Sequence, residues 1–396
     1  MEAEVRGLLS HLMDETKGNL VVQEDVAYFT DPVFGIVRNR VNAELCKTLF
    51  RMGDKDLVQK IITHITNHQN PDGSWNEVHP QYNQPSALIT SIIGDALVES
   101  YTLCPRESSL KKARDYVLFQ ERQPGLFLKS AHYHADHLNV DASCGAFLAV
   151  YGRLFSDQIS LDAACRAAER VCQFQSADGS FPYTSDRGNY PYALDIPCIH
   201  YQGVTLYYLG KINAVLSEEW INNSAIKGAN WLASKQRPDG SFDWSASGLM
   251  FAYYLTGAYA FAYSSFMHAA RYDPRYRENA HLALKRLTKN INGIMLRWEK
   301  DTWGSFITAP ISSLRTASIG HFPLKEQVFR FGYGMYREIA RRRFSPHVDP
   351  KLFQILCSLF GIKASTIEAS NNYPDLFMTS EVLDCLSYTI QQERSR

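Results

Sequence analysis

Histidine, tyrosine and asparagine concentrate in a few loops of this sequence, and each loop precedes an apolar stretch with helical spacing. The richest segments run from 129 to 141 and from 186 to 201. Imidazole and phenol groups exchange protons, and asparagine and arginine stabilise anions, so these segments could abstract a proton beside a sugar acid. Turn formers that line the loops structurally would leave the same pattern. The candidates are His132, Tyr133, His134, His137, Arg187, Asn189, Tyr190, Tyr192, His200 and Tyr201, with Tyr82 in an earlier loop of this kind.

Asp141 offers a carboxyl group at a predicted helix start, in the apolar run that extends to Phe147. One interpretation is an N-cap, in which the carboxylate accepts bonds from free backbone N–H groups and suits the helix dipole. The other is a catalytic acid at the floor of an aromatic cavity, where burial raises the pKa and keeps the carboxyl protonated. The dipole and the burial shift this pKa in opposite directions, so both interpretations stay open.

Asp141 and Cys144 lie three residues apart, on one face of the predicted helix, and His200 opens the next apolar helix. Together they could bind a catalytic zinc ion with one open position. The alternative is a capping aspartate beside a buried thiol, so the main expectation is an enzyme without a cofactor. Arg38 and Arg40 precede another apolar helix and could hold an anionic ligand.

Three similar turns organise the chain, and each reads Gln, two variable residues, Asp-Gly-Ser and an aromatic residue: Gln69–Trp75, Gln175–Phe181 and Gln236–Phe242. Weaker copies occupy 123–127 and 301–306. The glycines of the five copies are 52, 54, 61 and 64 residues apart, which suits one helical hairpin per repeat. Asp-Gly supplies a left-handed turn, and the aromatic residue packs back on the helix that has just ended.

Each turn follows an amphipathic helix and precedes a more apolar one, which predicts an outer and an inner helix in every repeat. Six such hairpins close an all-α (α/α)6 toroid over residues 1–345, with residues 346–396 as a C-terminal helical extension that packs on it. The inner helices of a closed toroid run parallel, so the loops that enter them gather at one mouth. The histidine- and tyrosine-rich loops are therefore expected to meet there.

The composition narrows the functional classes. Formal net charge is zero, with 41 basic and 41 acidic residues, which argues against a nucleic-acid binder. The eight cysteines form no CxxC pair, as is typical of reduced thiols. The first residues are acidic, unlike a signal peptide, and tyrosines interrupt the most apolar run, Gly248–Phe266. We expect a cytoplasmic protein without a transmembrane segment that binds a small molecule, with its oligomeric state open.

The repeated turns resemble the QW-type repeats of the terpenoid cyclase and protein prenyltransferase superfamily, over most of residues 50–310. The resemblance implies an α/α toroid with a deep cavity. It matches Asp141 to the proton-donating aspartate of squalene-type cyclases, with Asn139 and Ala142 where that motif has further acids. It also sets Asp141, Cys144 and His200 beside the zinc ligands of the prenyltransferase β subunit.

The leading hypothesis is a terpenoid-cyclase-like enzyme that starts the cyclisation of an isoprenoid by protonation in a central aromatic cavity. Asp141 would be the acid, and His200 would take the final proton. Aromatic rings would face the developing cation, and these are Tyr133, Tyr190, Tyr192 and Tyr201. The first alternative is a polysaccharide-active toroid enzyme, a uronic-acid lyase, an epimerase or a hydrolase, that uses the same mouth on an oligosaccharide. The second is a non-catalytic toroid that binds a lipid or a peptide.

Overall fold

The computed structural model describes residues 1–31, 35–79, 82–130, 136–186, 197–242, 257–292, 295–296 and 376–394. The helices in these residues are α1 (Glu2–Thr16), α2 (Asn39–Met52), α3 (Lys55–Asn67), α4 (Ala87–Glu99), α5 (Glu107–Phe119), α6 (Leu138–Phe155), α7 (Gln158–Gln173), α8 (Ile199–Leu216), α9 (Glu219–Lys235), α10 (Gly257–Ala269), α11 (Tyr276–Asn290) and α12 (Leu376–Arg394). A 3-10 turn, Lys17–Asn19, follows α1.

Short antiparallel strand pairs link several helices. They are β1 (Leu20–Gln23) with β2 (Val26–Phe29), β3 (Trp75–His79) with β4 (Tyr82–Ser86), β5 (Glu121–Gln123) with β6 (Leu126–Phe127), β7 (Asp136–His137) with β8 (Thr184–Asp186), and β9 (Ile291–Asn292) with β10 (Met295–Leu296). Four of the pairs join neighbouring segments, whereas β7 and β8 join the entrance of α6 to the segment after α7. These pairs lie between helices, so the architecture remains helical.

Six helices form a closed inner ring. Along this ring α2 packs on α4, α4 on α6, α6 on α8, α8 on α10, α10 on α12, and α12 on α2. The helices α1, α3, α5, α7, α9 and α11 pack outside it, and the apolar core fills the space between the two layers. The predicted all-α (α/α)6 toroid is confirmed. Among the helices of the described residues, no continuous apolar stretch reaches the length that a membrane span requires.

The sixth inner helix comes from the end of the chain. From the sequence, the toroid was expected within residues 1–345 and residues 346–396 were expected as an extension packed on it; residues 297–375 lie outside the described residues. In the structure α12 takes the sixth inner place, between α10 and α2. Its burial explains the position, because nearly all residues from Leu376 to Ile390 are buried, as expected for a helix enclosed on all sides.

The three Asp-Gly-Ser turns share one hydrogen-bond pattern. In each, the aspartate Oδ1 accepts from the backbone N–H and the hydroxyl of the serine, as Asp178 does from Ser180 at 3.0 and 2.7 Å. The glutamine of each turn donates to the next outer helix, and Gln175 Nε2 lies 2.9 Å from Ser224 O in α9. The motif therefore closes its own turn and ties one hairpin to the next.

The turn glycines leave no room for a side chain. Gly179 has a φ of 94°, and a Cβ there would lie 2.2 Å from the carbonyl oxygen of Lys227 in α9. We expect Gly179→Ala to lower the free energy of unfolding by about 2–4 kcal/mol, because left-handed strain and overpacking add together. Gly210→Ala is the matched control, since a Cβ there meets nothing within 4 Å and alanine favours the helix α8. Urea unfolding of both variants checks this, and equal stabilities would contradict it.

Charged side chains fill the ring below its mouth. Lys47 of α2 is fully buried, and its Nζ lies 3.0 Å from Asp95 Oδ2 and 2.7 Å from Asp384 Oδ2. Lys211 of α8 also binds Asp95 of α4, and this contact crosses the ring because α6 lies between those helices. Arg51, one turn beyond Lys47, donates to Asp384 Oδ1 at 2.8 Å.

This ionic column corrects the expected deep aromatic cavity. The side chains of Lys47, Asp95, Asp384 and Lys211 occupy the axis at the third and fourth turns of the inner helices. A hydrocarbon that entered the axis would have to separate these ion pairs and could not replace them, which is unfavourable in a dry interior. Within the described residues, the axis below the mouth is therefore filled by paired charges rather than by an apolar cavity.

Candidate active site

Three side chains from different inner helices meet at the mouth of the ring. Glu381 of α12 lies between the other two: its Oε1 accepts from Arg40 Nη2 at 2.5 Å, and its Oε2 lies 3.5 Å from His200 Nε2. The contact to His200 crosses the ring, because α10 separates α8 from α12. Burial opposes ionisation of Glu381, but Arg40 and His200 outweigh it and lower the pKa of this carboxyl. Glu381 is therefore a carboxylate that orients the imidazole.

One ring nitrogen of His200 is buried without a hydrogen-bond partner in the described residues. The residue is only 3% exposed, and its Nδ1 has no hydrogen-bond partner among the described residues. Because the Glu381 carboxylate can only accept, a neutral imidazole here would carry its proton on Nε2 and its lone pair on Nδ1. The rings of Tyr201 and Phe261 contact the imidazole edge-on, with centroid distances of 5.1 and 5.5 Å. A buried, oriented imidazole with a free lone pair is the arrangement of a general base.

Arg40 places a fixed positive charge beside this pair. Its Nε donates to Glu44 Oε1 at 2.7 Å, and the hydroxyl of Ser380 donates to Glu44 Oε2 at 2.6 Å. The Arg40 guanidinium also covers the Phe377 ring, with its Cζ 4.4 Å from the ring centroid. Burial raises the pKa of Glu44, against the attraction of Arg40 and with the repulsion of Glu381. The mouth thus holds one ionised carboxylate and one carboxyl group that ionises less readily.

Glu44, Phe377, Ser380 and Glu381 were missed by the sequence analysis. Two signals could have found them. Residues Arg40, Glu44, Lys47 and Arg51 form a charged stripe at helical spacing, and Glu381 and Asp384 interrupt the apolar run of α12 at a spacing of three. Such stripes are usually solvent-exposed, so their burial becomes visible only once the ring closes.

An aromatic chain extends from His200 toward α6. The rings of Tyr183 and Tyr201 lie 4.5 Å apart, and those of His137 and Tyr183 lie 4.7 Å apart. Burial, then the nearby Lys129, lower the pKa of His137 to about 3, so its imidazole is neutral. Burial raises the pKa of the Tyr201 phenol. The structure thus brings His137, His200 and Tyr201 into one aromatic wall of the mouth.

Arg38 lies near the same mouth, at the N-cap of α2. Its Nε donates to Asp31 Oδ2 at 2.9 Å, and its guanidinium lies 5.6 Å from the centre of the Phe377 ring. Arg38 and Arg40 were expected to hold an anionic ligand, and both already have carboxylate partners. The other expected site residues lie outside the described residues: His132, Tyr133, His134, Arg187, Asn189, Tyr190, Tyr192 and the side chain of Tyr82, whose backbone pairs with His79.

Asp141 faces away from this mouth. It is fully buried; its Oδ1 accepts from the backbone N–H of Phe127 at 2.7 Å, and its Oδ2 lies 3.8 Å from Arg170 Nε in the outer layer. The corresponding N–H groups of other repeats are held in the same way by Asn42, Thr90 and Gln202. Because amides and a hydroxyl do the same task elsewhere, the contact does not require an acid. We therefore assign Asp141 to anchoring the turn.

Asp141→Asn separates anchoring from acid catalysis. Burial, then repulsion by Asp136, raise the pKa of Asp141, so the native state keeps a proton that the unfolded chain loses near pH 4. Stability of the wild type therefore falls as pH rises between the ordinary and the raised pKa. The asparagine variant lacks this loss, so we expect it to fold, to keep turnover, and to gain relative stability as pH rises from about 4. Thermal unfolding at several pH values and activity measurements check this; a folded but inactive variant would restore the acid role.

The zinc alternative is not supported by the positions of its residues. The Cys144 thiol lies 3.9 Å from the carbonyl oxygen of Ala87, Asp141 faces the outer layer, and His200 pairs with Glu381 across the ring. In the described part of the chain, no three His, Cys, Asp or Glu side chains are arranged to hold a metal ion. Asp141, Cys144 and His200 therefore do not form one site.

Comparison with known proteins identifies the fold. No protein-family model and no curated protein matches the sequence. A cellobiose 2-epimerase from Bacillus thermoamylovorans B4167 has a similar structure, with a TM-score of 0.59 and 11% identity over 75% of this chain and 90% of that one. A D-mannose isomerase gives 0.57 and 13%, over 73% and 86%. An unsaturated glucuronyl hydrolase from Bacillus sp. GL1 gives 0.56 and 11%, over 76% and 89%.

Proposed function

We propose that this protein is an enzyme that isomerises or epimerises a sugar by moving a proton next to its carbonyl group, with His200 as the base. The observation that carries the proposal is the buried imidazole, which is oriented by Glu381 on one nitrogen and has a lone pair on the other. Such a group transfers protons without a cofactor. The proposal takes up the polysaccharide-active alternative and narrows it to its epimerase branch.

The first proton transfer can be assigned to groups at the mouth. His200 Nδ1 takes the proton from the carbon beside the carbonyl, and the electron pair of the broken C–H bond enters an enediolate. The negative oxygen is stabilised by the fixed positive charge of Arg40. Return of the proton from His200 to the former carbonyl carbon, with transfer of the hydroxyl proton from the neighbouring oxygen to the former carbonyl oxygen, gives the isomer. An epimer needs a second proton donor on the opposite face. Glu381 is a positioning residue that stabilises the imidazolium between the two steps.

Two further observations favour a sugar over an isoprenoid. The ring below the mouth is filled by the ion pairs of Lys47 and Lys211 rather than by an apolar cavity. Asp141, the acid that cyclisation would need, faces the outer layer. Among solved structures of this fold, one is named a D-mannose isomerase and one a cellobiose 2-epimerase, and both names describe rearrangement of a sugar without bond cleavage between units.

A hydrolase is the second candidate, and Glu44 and Glu381 favour it. Their pKa values are shifted in opposite directions, as in enzymes that use one carboxylic acid and one carboxylate. Both oxygens of Glu44 are already bonded, however, to Arg40 and to Ser380. We therefore place hydrolysis second.

The test is product analysis with a panel of sugars. The purified full chain is incubated with aldoses, ketoses, reducing disaccharides, uronic-acid oligosaccharides and an isoprenoid diphosphate, and products are identified by NMR. Interconversion of aldose and ketose, or of epimers at the carbon next to the carbonyl, supports the proposal. New reducing ends would favour the hydrolase, and unsaturated uronides the lyase. Binding of a sugar without any conversion would favour a non-catalytic toroid.

A further inference from the structure

A second concave surface lies beside the mouth. It is a groove of about 550 Å³ between the β1–β2 hairpin, the end of α3 and the β3–β4 hairpin. The twelve lining residues that the structure describes are five asparagines, one glutamine, two histidines, one tyrosine and three valines, with no charged side chain. Ligand sites span roughly 300–1,000 Å³, so the groove has room for one or two sugar rings.

The groove is lined mainly by side-chain amides and is rich in paired donors and acceptors. Burial, then the neighbouring His68, lower the pKa of His64 to about 4, so this imidazole is neutral at neutral pH. A side-chain amide both donates and accepts, as a sugar hydroxyl does. The amides of Gln23 and Asn67 are exposed at the groove and make no hydrogen bond within the described residues. None of the twelve lining residues is a lysine or an arginine, and Arg38, whose Nη1 lies 3.5 Å from Val78 O, is already paired with Asp31.

One side of the groove is a stack of rings. The Tyr28 and His64 rings are stacked with centroids 4.7 Å apart, and the His64 and His68 rings follow at 4.3 Å. His68 Nδ1 lies 2.7 Å from the carbonyl oxygen of His64, which fixes the last ring. The Tyr28 and His68 rings at the two ends of this row are at least partly exposed and can contact the C–H face of a pyranose, while the amides of the groove can meet its hydroxyl groups.

The groove leads to the candidate active site. Asn39, the first residue of α2, lines the groove and donates from Nδ2 to Asn76 O at 2.8 Å. The next residue is Arg40, which holds Glu381 and thereby His200. Arg38, the residue before, lies 3.5 Å from Val78 O on the groove wall. A chain of sugar units could therefore extend from the groove to the mouth.

We propose that this groove binds the non-reducing part of a neutral oligosaccharide whose reducing unit reaches His200. The claim that the reducing end of the oligosaccharide faces His200 rests on the proposed function, whereas the claim that the groove binds the oligosaccharide does not. The occupant is a neutral glycan rather than a uronic-acid chain, because no lysine or arginine lines the groove and Arg38 beside it is paired with Asp31. The substrate of this site is then an oligosaccharide of two or three units and not a free monosaccharide.

The experiment compares ligands of different length on the full chain. Affinities for glucose, cellobiose, cellotriose, mannobiose and a uronic-acid disaccharide are measured by calorimetry and by NMR. We expect at least tenfold tighter binding of one neutral disaccharide series than of its monosaccharide, and no such gain for the uronic acid. Tyr28→Ala, which removes one ring, and Asn67→Asp, which adds a charge without changing shape, should each abolish most of this preference. Asn223→Asp, on α9, is the matched control and should keep it.

Each result has one meaning. Equal affinity for mono- and oligosaccharides would overturn the proposal that the groove binds a glycan. A length preference that survives both Tyr28→Ala and Asn67→Asp in folded protein would do the same. Length-dependent binding without any turnover supports glycan binding in the groove and contradicts the proposed function. Turnover of monosaccharides without length-dependent binding supports the proposed function and contradicts glycan binding in the groove.

Discussion

His200→Asn is expected to lower sugar turnover by about 10²–10⁴-fold, the usual contribution of a general base. Asparagine keeps a polar group near Glu381 but cannot take a proton from carbon. Because the substitution leaves Arg40 and the groove in place, substrate binding should change far less than kcat. Steady-state kinetics on the sugar identified by product analysis measures kcat and KM, and circular dichroism verifies that the variant is folded.

Glu381→Gln refines the same prediction. The amide keeps the shape of Glu381 but removes the charge that stabilises an imidazolium, so we expect a smaller loss of kcat and an altered pH profile. His281→Asn, on the exposed side of α11, is the matched control and should leave activity unchanged. Full activity of folded His200→Asn would refute the assignment of the base.

Lys47→Met is expected to cause the largest loss of stability, about 3–5 kcal/mol. The substitution removes one cation from a buried ion network and leaves both of its carboxylate partners in place. Lys47 is fully buried, and its Nζ bonds to Asp95 and Asp384 at 3.0 and 2.7 Å. Lys111→Met is the control, since that side chain is 69% exposed and pairs with Asp115 on the surface. We expect no measurable change there. Urea unfolding followed by tryptophan fluorescence compares the two variants.

The loss should also depend on pH. The cations around Asp384 outweigh its burial and lower its pKa, and the same holds for Asp95. A lowered carboxyl pKa stabilises the native state above the ordinary value near 4, and this contribution disappears as pH falls. The difference between wild type and Lys47→Met should therefore narrow below about pH 4. A loss no larger than that of Lys111→Met would show that the axis of the ring is not a dry ionic core.

The fold could be predicted because its repeats are local. Asp-Gly-Ser closes a turn within a few residues, and the glutamine before it reaches the next outer helix, so the signal recurs in sequence. The alternation of amphipathic and apolar helices then implies two layers. The position of α12 could not be read in this way, because the long segment before it separates the helix from the periodic part of the chain.

The candidate site was only partly predictable, because its contacts are distant in sequence. His200 was found from its place at a helix start, but its partner Glu381 lies on the last helix, and Arg40 on the first of the ring. Asp141 shows the opposite case: a carboxyl at a helix start suggested chemistry, and the structure gives it a turn to hold. Side chains at helix starts look alike in sequence whether they face the mouth or the outer layer.

The turn motif also explains why the resemblance pointed to isoprenoid chemistry. The motif determines how hairpins pack, which is common to toroids that act on unrelated ligands. The substrate is determined by the side chains that face the mouth, and these are neither part of the motif nor periodic. The sugar hypothesis therefore depends on His200, Glu381 and Arg40, not on the repeats.

Deuterium incorporation tests the central claim most directly. The protein is incubated with its sugar in deuterium oxide, and the hydrogen on the carbon beside the carbonyl is followed by NMR. If His200 removes that proton, the wild type exchanges it for deuterium and His200→Asn does so at least a hundredfold more slowly. Exchange at the same rate in folded His200→Asn, or conversion of the sugar by that variant at the wild-type rate, would contradict the proposal.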